Sequence, residues 1–153
     1  MTTQVDTSPI LGFRGEYFFL SNFYPVVVYI DHVDWQTAEH AYQASKTNDA
    51  HWKHRIQNAS TAADARRLGK RAPVRPDWEE VKLPMMYAIV STKFRRPDMI
   101  QMLLATGHRK LVETNTWRDT FWGVYKGEGE NHLGDILMKI RHQLRTGGPR
   151  NMK

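Results

Sequence analysis

Cysteine is absent from the 153 residues, which excludes disulfides and any thiolate nucleophile. No apolar run reaches the roughly 18 residues that a membrane-spanning helix requires. The first residues, MTTQVDTSPILG, lack a basic stretch followed by an apolar one, so a signal peptide is not expected. These absences predict an intracellular, cytoplasmic protein that does not associate with a membrane.

Sequence motifs of several common enzyme classes are absent too. There is no GxxxxGK[ST] phosphate loop, no GxSxG nucleophile turn and no HExxH zinc motif. His51 and His54 have no acidic partner at ligand spacing, so neither a metal nor a cofactor is expected. Gly127, Gly129 and Gly134 do not form GxGxxG, although a loop that leads into a helix could meet a phosphate. Carboxylates, lysines and aromatic residues remain as candidates for chemistry.

The residues in excess are basic ones. Lys and Arg number 22 against 16 Asp and Glu, which gives a net charge of +6. This balance favours a phosphate-bearing substrate or a polyanion such as DNA, but it is equally compatible with a charge that only maintains solubility. The cations that would suit a phosphate backbone form two clusters, Arg66, Arg67, Lys70, Arg71, Arg75 and Lys93, Arg95, Arg96.

Length and patterning predict one mainly helical α+β domain at residues 12–145, between flexible tails at 1–11 and 146–153. The β-branched run at 26–30, a turn at Asp31-His32 and a return strand at 33–36 form a small N-terminal antiparallel sheet. Shorter strands are expected at 17–20 and 110–113. Because strands and helices do not alternate, a doubly wound sheet is not expected.

Capping residues and prolines predict where the helices begin and end. Thr37, Asp49 and Ser60 or Thr61 are the expected caps of the first three helices, at 38–46, 50–57 and 62–68. Asp77, with Glu80, has capping-box spacing for the fourth helix, which Pro84 should end or kink before a helix resumes at 85–94. Two later helices are predicted, 97–105 with Pro97 in its first turn and 132–144 capped by Asn131.

The stretch Trp35–Lys46, WQTAEHAYQASK, is the best candidate for a site. On a helix, Glu39, Gln43 and Lys46 fall at i, i+4 and i+7, which places a carboxylate, an amide and an amine on one face. The neighbouring face is mostly small, so the polar face could be partly buried. The alternative is an ordinary surface helix with a dipole-stabilised glutamate and a solvated lysine.

A second candidate is the segment Asp119–Gly123, DTFWG. It places the Asp119 carboxylate beside Trp122 and ahead of a glycine-containing loop. An aromatic platform with a nearby carboxylate suits a heterocyclic base attached to ribose. Structural packing is the alternative for any of the five tryptophans.

Seven motifs in order give the chain a wider resemblance, which runs from about Phe13 to Leu144. The chain resembles the NADAR (YbiA-like) family in FLSNFYP, TAEHAYQASK, RPDWEEVK, the segment 86–94, LLATGHRKLVE, DTFWG and GENHLGDILMKIR. The resemblance implies an α+β fold and an N-glycosidase that cleaves ribose–nitrogen bonds without a metal. Its members act on ADP-ribosylated guanine, also in DNA, or on phosphorylated riboflavin-pathway intermediates.

The resemblance also favours a covalent route through a lysine, mapped onto Lys46, which would form a Schiff base with C1′ of ribose. Glu39 would be its acid/base partner and Asp119 a second carboxylate. Expected substrate contacts are Arg14, Asn22, Phe23, Gln43, Trp78, Lys82, Trp122, Gly123, Asn131, Leu133 and Gly134. Desolvation would lower the pKa of Lys46 while Glu39 would raise it. The sequence therefore leaves open whether Lys46 is a nucleophile or the charge partner of Glu39.

Three functions follow from these observations. The leading one is removal of ADP-ribose from guanine in DNA or nucleotides, and a riboflavin-intermediate N-glycosidase is its alternative within the same class. A non-catalytic nucleotide or nucleic-acid binding module is the alternative of another class. The expected partners are an ADP-ribose-bearing or ribosyl-phosphate substrate and DNA at the basic surface, and the oligomeric state stays open.

Overall fold

Six α-helices, one 3-10 helix and two two-stranded sheets make up residues 4–147, the part of the chain that this computed structural model describes. These elements belong to two compact units, one of residues 21–95 and the other of residues 4–20 and 96–147. Within residues 4–147 no helix combines the length and the apolar character needed to cross a membrane. Residues 1–3 and 148–153, which belong to the predicted tails, lie outside the described part.

The unit of residues 21–95 begins with an antiparallel hairpin. Strands β2 (Val28–Ile30) and β3 (Val33–Trp35) pair with Val28 opposite Trp35. Asp31 and His32 occupy the turn with φ of +54° and +63°. Two successive positive φ values are what a two-residue turn needs to match the twist of the strands. The predicted hairpin and turn are confirmed, and both strands are shorter than predicted.

Four helices follow the hairpin: α1 (Ala38–Ser45), α2 (Ala50–Gln57), α3 (Ala62–Gly69) and α4 (Trp78–Lys93). The side chains of Thr37, Asp49 and Thr61 each accept a hydrogen bond from a backbone N–H in the first turn that follows. Each satisfies a donor that the helix itself leaves without a partner. The predicted caps of the first three helices are confirmed.

Helix α1 is the centre of this unit and packs against α2, α3 and α4. Its Ala38, Ala41 and Ala44 are at most 3% exposed and let neighbouring elements approach closely. The surrounding core includes Val28, Trp35, Ile56, Ala59, Ala65, Ala72 and Ile89. Because α1 is enclosed, its polar residues Glu39 and Gln43 are buried as well.

Helix α4 departs from the prediction in two ways. It is continuous through Pro84, which is exposed, so the proline ring disturbs no packed neighbour. The lost backbone hydrogen bond is offset by the buried side of the helix, with Met86, Ile89 and Val90. Asp77 makes no capping bond; both its carboxylate oxygens accept from Arg75, at 2.6 and 3.0 Å. The predicted end of the helix at Pro84 and the predicted capping box are therefore wrong.

The unit of residues 4–20 and 96–147 contains a parallel strand pair, β1 (Ile10–Leu11) with β4 (Leu111–Val112). Helix α6 (His132–Thr146) packs against β4 and against α5 (Pro97–Ala105). The predicted bounds of α5 are confirmed, and α6 is two residues longer than predicted. The buried side chains of this unit include Ile10, Phe19, Met99, Leu103, Leu111, Leu137 and Ile140.

Two segments of this unit differ from the sequence prediction. Gly15–Leu20 is a 3-10 helix rather than a strand at 17–20. Phe19 and Leu20 are both buried, and neighbouring residues of a half-buried strand would face opposite sides. Ile10 and Leu11, placed in the N-terminal tail, form β1. Arg109 reaches the same segment through hydrogen bonds to Ser8 O (2.7 Å) and Tyr17 Oη (2.8 Å).

Candidate functional site

The polar face of α1 forms a continuous hydrogen-bonded chain. Gln43 Nε2 donates to Glu39 Oε1 at 2.8 Å, and Lys46 Nζ donates to Gln43 Oε1 at 3.3 Å. Glu39 is 8% exposed and Gln43 is 5% exposed, whereas Lys46 is half-buried. The amide of Gln43 therefore links the carboxylate to the amine, as the i, i+4, i+7 spacing predicted.

Gly69, the last residue of α3, closes this chain at its lysine end. Its carbonyl oxygen accepts from Lys46 Nζ at 3.4 Å. A Cβ at position 69 would lie 2.0 Å from Gln43 Oε1, so only glycine leaves room for the amide. In the sequence, the position of Gly69 directly after the predicted helix 62–68 indicates only a helix end. The sequence could indicate a glycine at the end of α3, but it could not indicate that this glycine contacts Gln43 of α1, because the two residues are far apart in the chain.

Burial lowers the pKa of the Lys46 amine below its ordinary 10.5, and this is the largest influence on it. The neighbouring Glu39 raises that pKa, while the cations Lys70 and Arg66 lower it. The balance is a lowered pKa, because a half-buried ammonium loses solvation that the carboxylate does not fully replace. At a given pH, Lys46 therefore has a larger neutral fraction than an exposed lysine, and its role as a nucleophile stays a prediction.

Asn22 lies against the first turn of α1. Its backbone oxygen accepts from Glu39 N at 3.0 Å, and its Nδ2 donates to Met86 Sδ at 3.4 Å. Asn22 is 8% exposed, yet its Oδ1 has no hydrogen-bond partner within residues 4–147. A buried carbonyl oxygen without a partner is energetically unfavourable unless a ligand or water completes it. Phe23, next in the chain, donates its backbone N–H to Ser21 Oγ.

The side chain of Lys93 is fully buried in this unit, at 1% exposure. Its Nζ donates to the backbone oxygen of Ser21 at 2.6 Å, and Ser21 directly precedes Asn22 in the chain. The expectation that Lys93 contributes to a surface for phosphates is therefore wrong. In the same cluster, Arg96 makes two bonds of 3.2 Å to Asp98, which reduces its availability to a ligand.

The two remaining predicted contacts of this unit are on α4. Trp78 is 7% exposed and packs against Tyr42 with ring centroids 5.5 Å apart. Lys82 Nζ lies 2.6 Å from Glu79 Oε2, one turn earlier on the helix. Packing and a local ion pair are what the structure shows for these two side chains, and their roles towards a substrate stay predictions.

The other predicted site residues belong to the unit of residues 4–20 and 96–147. Asp119 Oδ1 accepts from the backbone N–H groups of Phe121 (3.0 Å) and Trp122 (2.9 Å). The Asn115 side chain holds both the N–H and the carbonyl of Asp119. Asp119 thus stabilises the turn that presents Trp122, and its role as a second catalytic carboxylate stays a prediction.

Asn131 has a structural role that differs from the predicted cap. It lies at φ +56°, and its side chain makes no capping bond to α6. Its Oδ1 accepts from Glu113 N at 3.0 Å and its Nδ2 donates to Leu111 O at 2.9 Å. These bonds connect the start of α6 to β4, so the prediction of a cap at Asn131 is wrong.

Glycines and one leucine complete the packing around this loop. A Cβ at Gly123 would lie 2.1 Å from Glu113 O, and one at Gly134 would lie 2.1 Å from Leu111 O. Leu133 is 4% exposed. Gly123 and Gly134 are therefore required by close backbone approaches, and any contact of these three residues with a substrate stays a prediction.

Trp122 and Arg14 are the more accessible predicted contacts of this unit. Trp122 is half-buried beside Phe121 and His132, whose ring centroids lie 4.7 and 6.4 Å away. Arg14 is exposed and reaches Thr114 Oγ1 at 3.5 Å. Within residues 4–147, no three histidine or acidic residues are grouped so that they could hold a metal ion.

Residues 12–145 match the NADAR domain family, so the match extends over most of the chain. The fold is that of a mainly helical α+β protein, and it is similar to the solution structure of Escherichia coli YbiA. That similarity has a TM-score of 0.83 at 33% sequence identity and covers 94% of this chain and 89% of YbiA. The chain belongs to the NADAR family, which confirms both the predicted resemblance and the predicted fold class.

Curated relatives carry two kinds of name. The N-glycosidase YbiA of E. coli K12 is 38% identical over 128 residues, which are 81% of this chain and 79% of that protein. An N-glycosidase of Nostoc punctiforme is 39% identical over 82% of this chain and 85% of its own length. A riboflavin biosynthesis protein of Vibrio vulnificus is 37% identical over 88% of this chain. The match spans only 37% of the Vibrio protein's length.

Proposed function

We propose that the chain is an N-glycosidase, a hydrolase of N-glycosyl bonds, in which Lys46 is the nucleophile and Glu39 the proton donor and acceptor. The observation that carries the proposal is the half-buried Lys46 amine, with its lowered pKa, joined through Gln43 to a buried carboxylate. Relatives named N-glycosidases at 38% and 39% identity support the reaction class. An amine of lowered pKa is neutral more of the time near pH 7 and can attack carbon.

In the proposed reaction, Lys46 Nζ attacks C1′ of the ribose and the C1′–N bond to the base breaks. Glu39 accepts a proton from Nζ and passes it to the leaving nitrogen, so it ends the step as a carboxylate again. The ring opens as the C1′–O4′ bond breaks, O4′ takes the second Nζ proton, and a C1′=Nζ Schiff base forms. Water adds to C1′ and the C1′–Nζ bond breaks, which releases the sugar and returns the amine.

Gln43 and Asn22 have supporting roles in this proposal. Gln43 holds Glu39 and Lys46 at fixed positions, so that one carboxylate can exchange protons with both the base and the amine. The partnerless Oδ1 of Asn22 is available to accept from a ribose hydroxyl. Replacing Asn22 by Leu should lower kcat/KM by about 5- to 150-fold, since a lost buried hydrogen bond corresponds to about 1–3 kcal/mol. Asp119, Trp78 and Trp122 stay proposed contacts of the base and ribose.

The proposed substrate is an ADP-ribosylated guanine, in DNA or as a nucleotide. The excess of basic residues supports a substrate with phosphates. The second candidate is a phosphorylated riboflavin-biosynthesis intermediate, and the relative named a riboflavin biosynthesis protein favours it. Both substrates have a ribose–nitrogen bond, so the same residues serve either reaction.

Incubation with two substrates separates these possibilities. A guanine-ADP-ribosylated oligonucleotide and a ribosylated riboflavin intermediate are supplied in turn, and the released ADP-ribose or ribose phosphate is measured. ADP-ribose release that disappears in Lys46→Ala supports the leading proposal, whereas sugar release from the flavin intermediate alone supports the second. Binding of either compound without any release would contradict an enzymatic function and favour a binding module.

A further inference from the structure

The whole charge excess of the protein lies in one stretch. Residues 50–76 contain seven Lys and Arg and a single acidic residue, Asp64, which gives +6. The remaining residues carry 15 basic and 15 acidic side chains, so they are neutral as a set. The stretch consists of α2, α3 and the loop that leads to α4. Such concentration is not needed for solubility, which a dispersed charge would serve equally well.

Helices α2 and α3 pack against each other and carry these cations outward. Arg67, Lys70 and Arg71 are exposed, and Arg55 and Arg66 are partly exposed. Arg67 is held by Asp64 at 2.7 Å, an exposed pair that water screens. We name this set (Arg55, Arg66, Arg67, Lys70 and Arg71) the α2–α3 basic face.

An aromatic residue lies within the basic face. The guanidinium carbon of Arg55 is 4.5 Å from the ring centroid of Trp52, and that of Arg71 is 5.6 Å away. Stacking against a half-buried indole holds a planar guanidinium at the surface with fewer conformations to lose. Cations fixed in this way suit a surface that follows the phosphates of a nucleic-acid strand.

The basic face is contiguous with the proposed nucleophile. Gly69 O, at the end of α3, accepts from Lys46 Nζ, and Arg66 and Lys70 are close enough to lower the pKa of that amine. A nucleic-acid strand that binds along α2 and α3 would therefore pass close to the Lys46 amine. The same cations that attract phosphates also lower the pKa of the Lys46 amine.

We propose that the α2–α3 basic face binds the phosphate backbone of a polynucleotide and presents a modified base to Lys46. The presentation of a modified base rests on the proposed function, whereas the binding of the backbone does not. Recognition is electrostatic, so it is independent of base sequence and weakens as salt rises.

The test compares two variants of equal charge. Arg55→Gln, Arg67→Gln and Arg71→Gln together remove three cations from the basic face and leave Arg66 and Lys70 beside Lys46. The matched control, Lys110→Gln with Lys139→Gln and Arg145→Gln, removes three exposed cations from the other unit. Binding of a fluorescent, unmodified single-stranded oligonucleotide is measured by anisotropy over a series of salt concentrations, after thermal melting shows that both variants are folded.

The basic-face variant should bind at least about 10-fold more weakly, and its salt slope should fall by about 2, since each phosphate contact on a single strand contributes about 0.7. The control should keep the parental affinity within about two-fold. Equal weakening in both variants, or no binding by the unchanged protein, would overturn the inference. Oligonucleotide binding by a protein that releases no sugar from any substrate would leave the inference standing and overturn the proposed function instead.

Discussion

Lys46 is a residue at which opposing influences on the pKa meet. Burial, Lys70 and Arg66 lower its pKa, and Glu39 raises it. The attacking amine must be neutral, so the rate should rise with pH through this pKa. Lys70→Gln removes one lowering influence, so we predict that the rising limb of the kcat–pH profile moves to higher pH.

The matched measurement is the same profile for Lys110→Gln, which removes an equal charge from an exposed position in the other unit. The rising limb of the kcat–pH profile of Lys110→Gln should coincide with that of the unchanged protein. A Lys70→Gln limb that stays in place, or moves to lower pH, would show that the titrating group is not Lys46. Both profiles are measured with a saturating small-molecule substrate, so that a change in binding at the basic face does not affect the comparison of kcat.

Gly69 gives the second prediction at the scale of single residues. In Gly69→Ala, the new Cβ would lie 2.0 Å from Gln43 Oε1, so the amide must leave its position between Glu39 and Lys46. We expect a loss of stability of about 1–3 kcal/mol from overpacking, and a fall in kcat of at least about 10-fold. Urea unfolding and steady-state kinetics measure the two effects.

A variant on the same helix separates stability from activity. Ala63→Gly, at an exposed position of α3, should destabilise the protein by up to about 1 kcal/mol through helix propensity and leave kcat unchanged. Wild-type kcat in Gly69→Ala would show that Gln43 does not have to lie between the two groups.

The position of the candidate site depends on helix α1, and Thr37 fixes where that helix begins. Thr37 Oγ1 accepts from His40 N at 3.1 Å and lies 2.7 Å from His40 Nδ1. His40 is fully buried, and its Nε2 lies 3.0 Å from Ala59 O. Because a carbonyl only accepts, His40 Nε2 donates to Ala59 O, and the tautomer with its single proton on Nε2 accepts at Nδ1 from the Thr37 hydroxyl. One hydroxyl therefore serves both the helix and a core histidine.

Thr37→Ala should destabilise the protein by about 2–4 kcal/mol, because it removes a cap and leaves a buried ring nitrogen without its donor. Thr61→Ala removes only the cap of α3 and should destabilise it by about 1 kcal/mol. Chemical unfolding of both variants gives the comparison. Equal losses for the two threonines would contradict the double role of Thr37.

Elements that depend on neighbouring residues were predictable from the sequence. The hairpin turn at Asp31-His32, the caps Thr37, Asp49 and Thr61, and the spacing that aligns Glu39, Gln43 and Lys46 are all local patterns. A side chain can satisfy a helix end or face its i+4 neighbour without information from elsewhere in the chain.

Features decided by distant contacts were not predictable. Helix α4 continues through Pro84 because its other side is buried, and Asn131 bonds to Leu111 and Glu113 instead of capping α6. The burial of Lys93 and the fit of Gly69 against Gln43 likewise depend on segments far away in sequence. Tertiary packing overrides local preference at each of these positions.

At the scale of the whole molecule, the site is expected to lower stability. The folded pKa of Lys46 lies below the value of 10.5 that it has when exposed. Between these two values the unfolded chain binds more protons than the folded one, so the free energy of unfolding rises with pH across that window. We predict that Lys46→Met is more stable than the unchanged protein at neutral pH.

The difference in the free energy of unfolding between Lys46→Met and the unchanged protein should shrink as pH rises from the folded pKa of Lys46 towards 10.5. Above that pH the Lys46 amine is neutral in both the folded and the unfolded chain. Urea unfolding at a series of pH values measures this difference. Lys53, whose pKa burial also lowers, is present in both proteins, so its contribution cancels. A stability difference that grows with pH, or a less stable Lys46→Met, would contradict a lowered pKa.

The most direct test of the proposed reaction is capture of its covalent intermediate. Protein and guanine-ADP-ribosylated oligonucleotide are mixed with sodium borohydride, which reduces a Schiff base to a stable amine, and the modified residue is located by mass spectrometry. A sugar adduct on Lys46 that is absent from Lys46→Arg is the predicted result. An adduct on another lysine, or sugar release at the normal rate by Lys46→Arg, would contradict it.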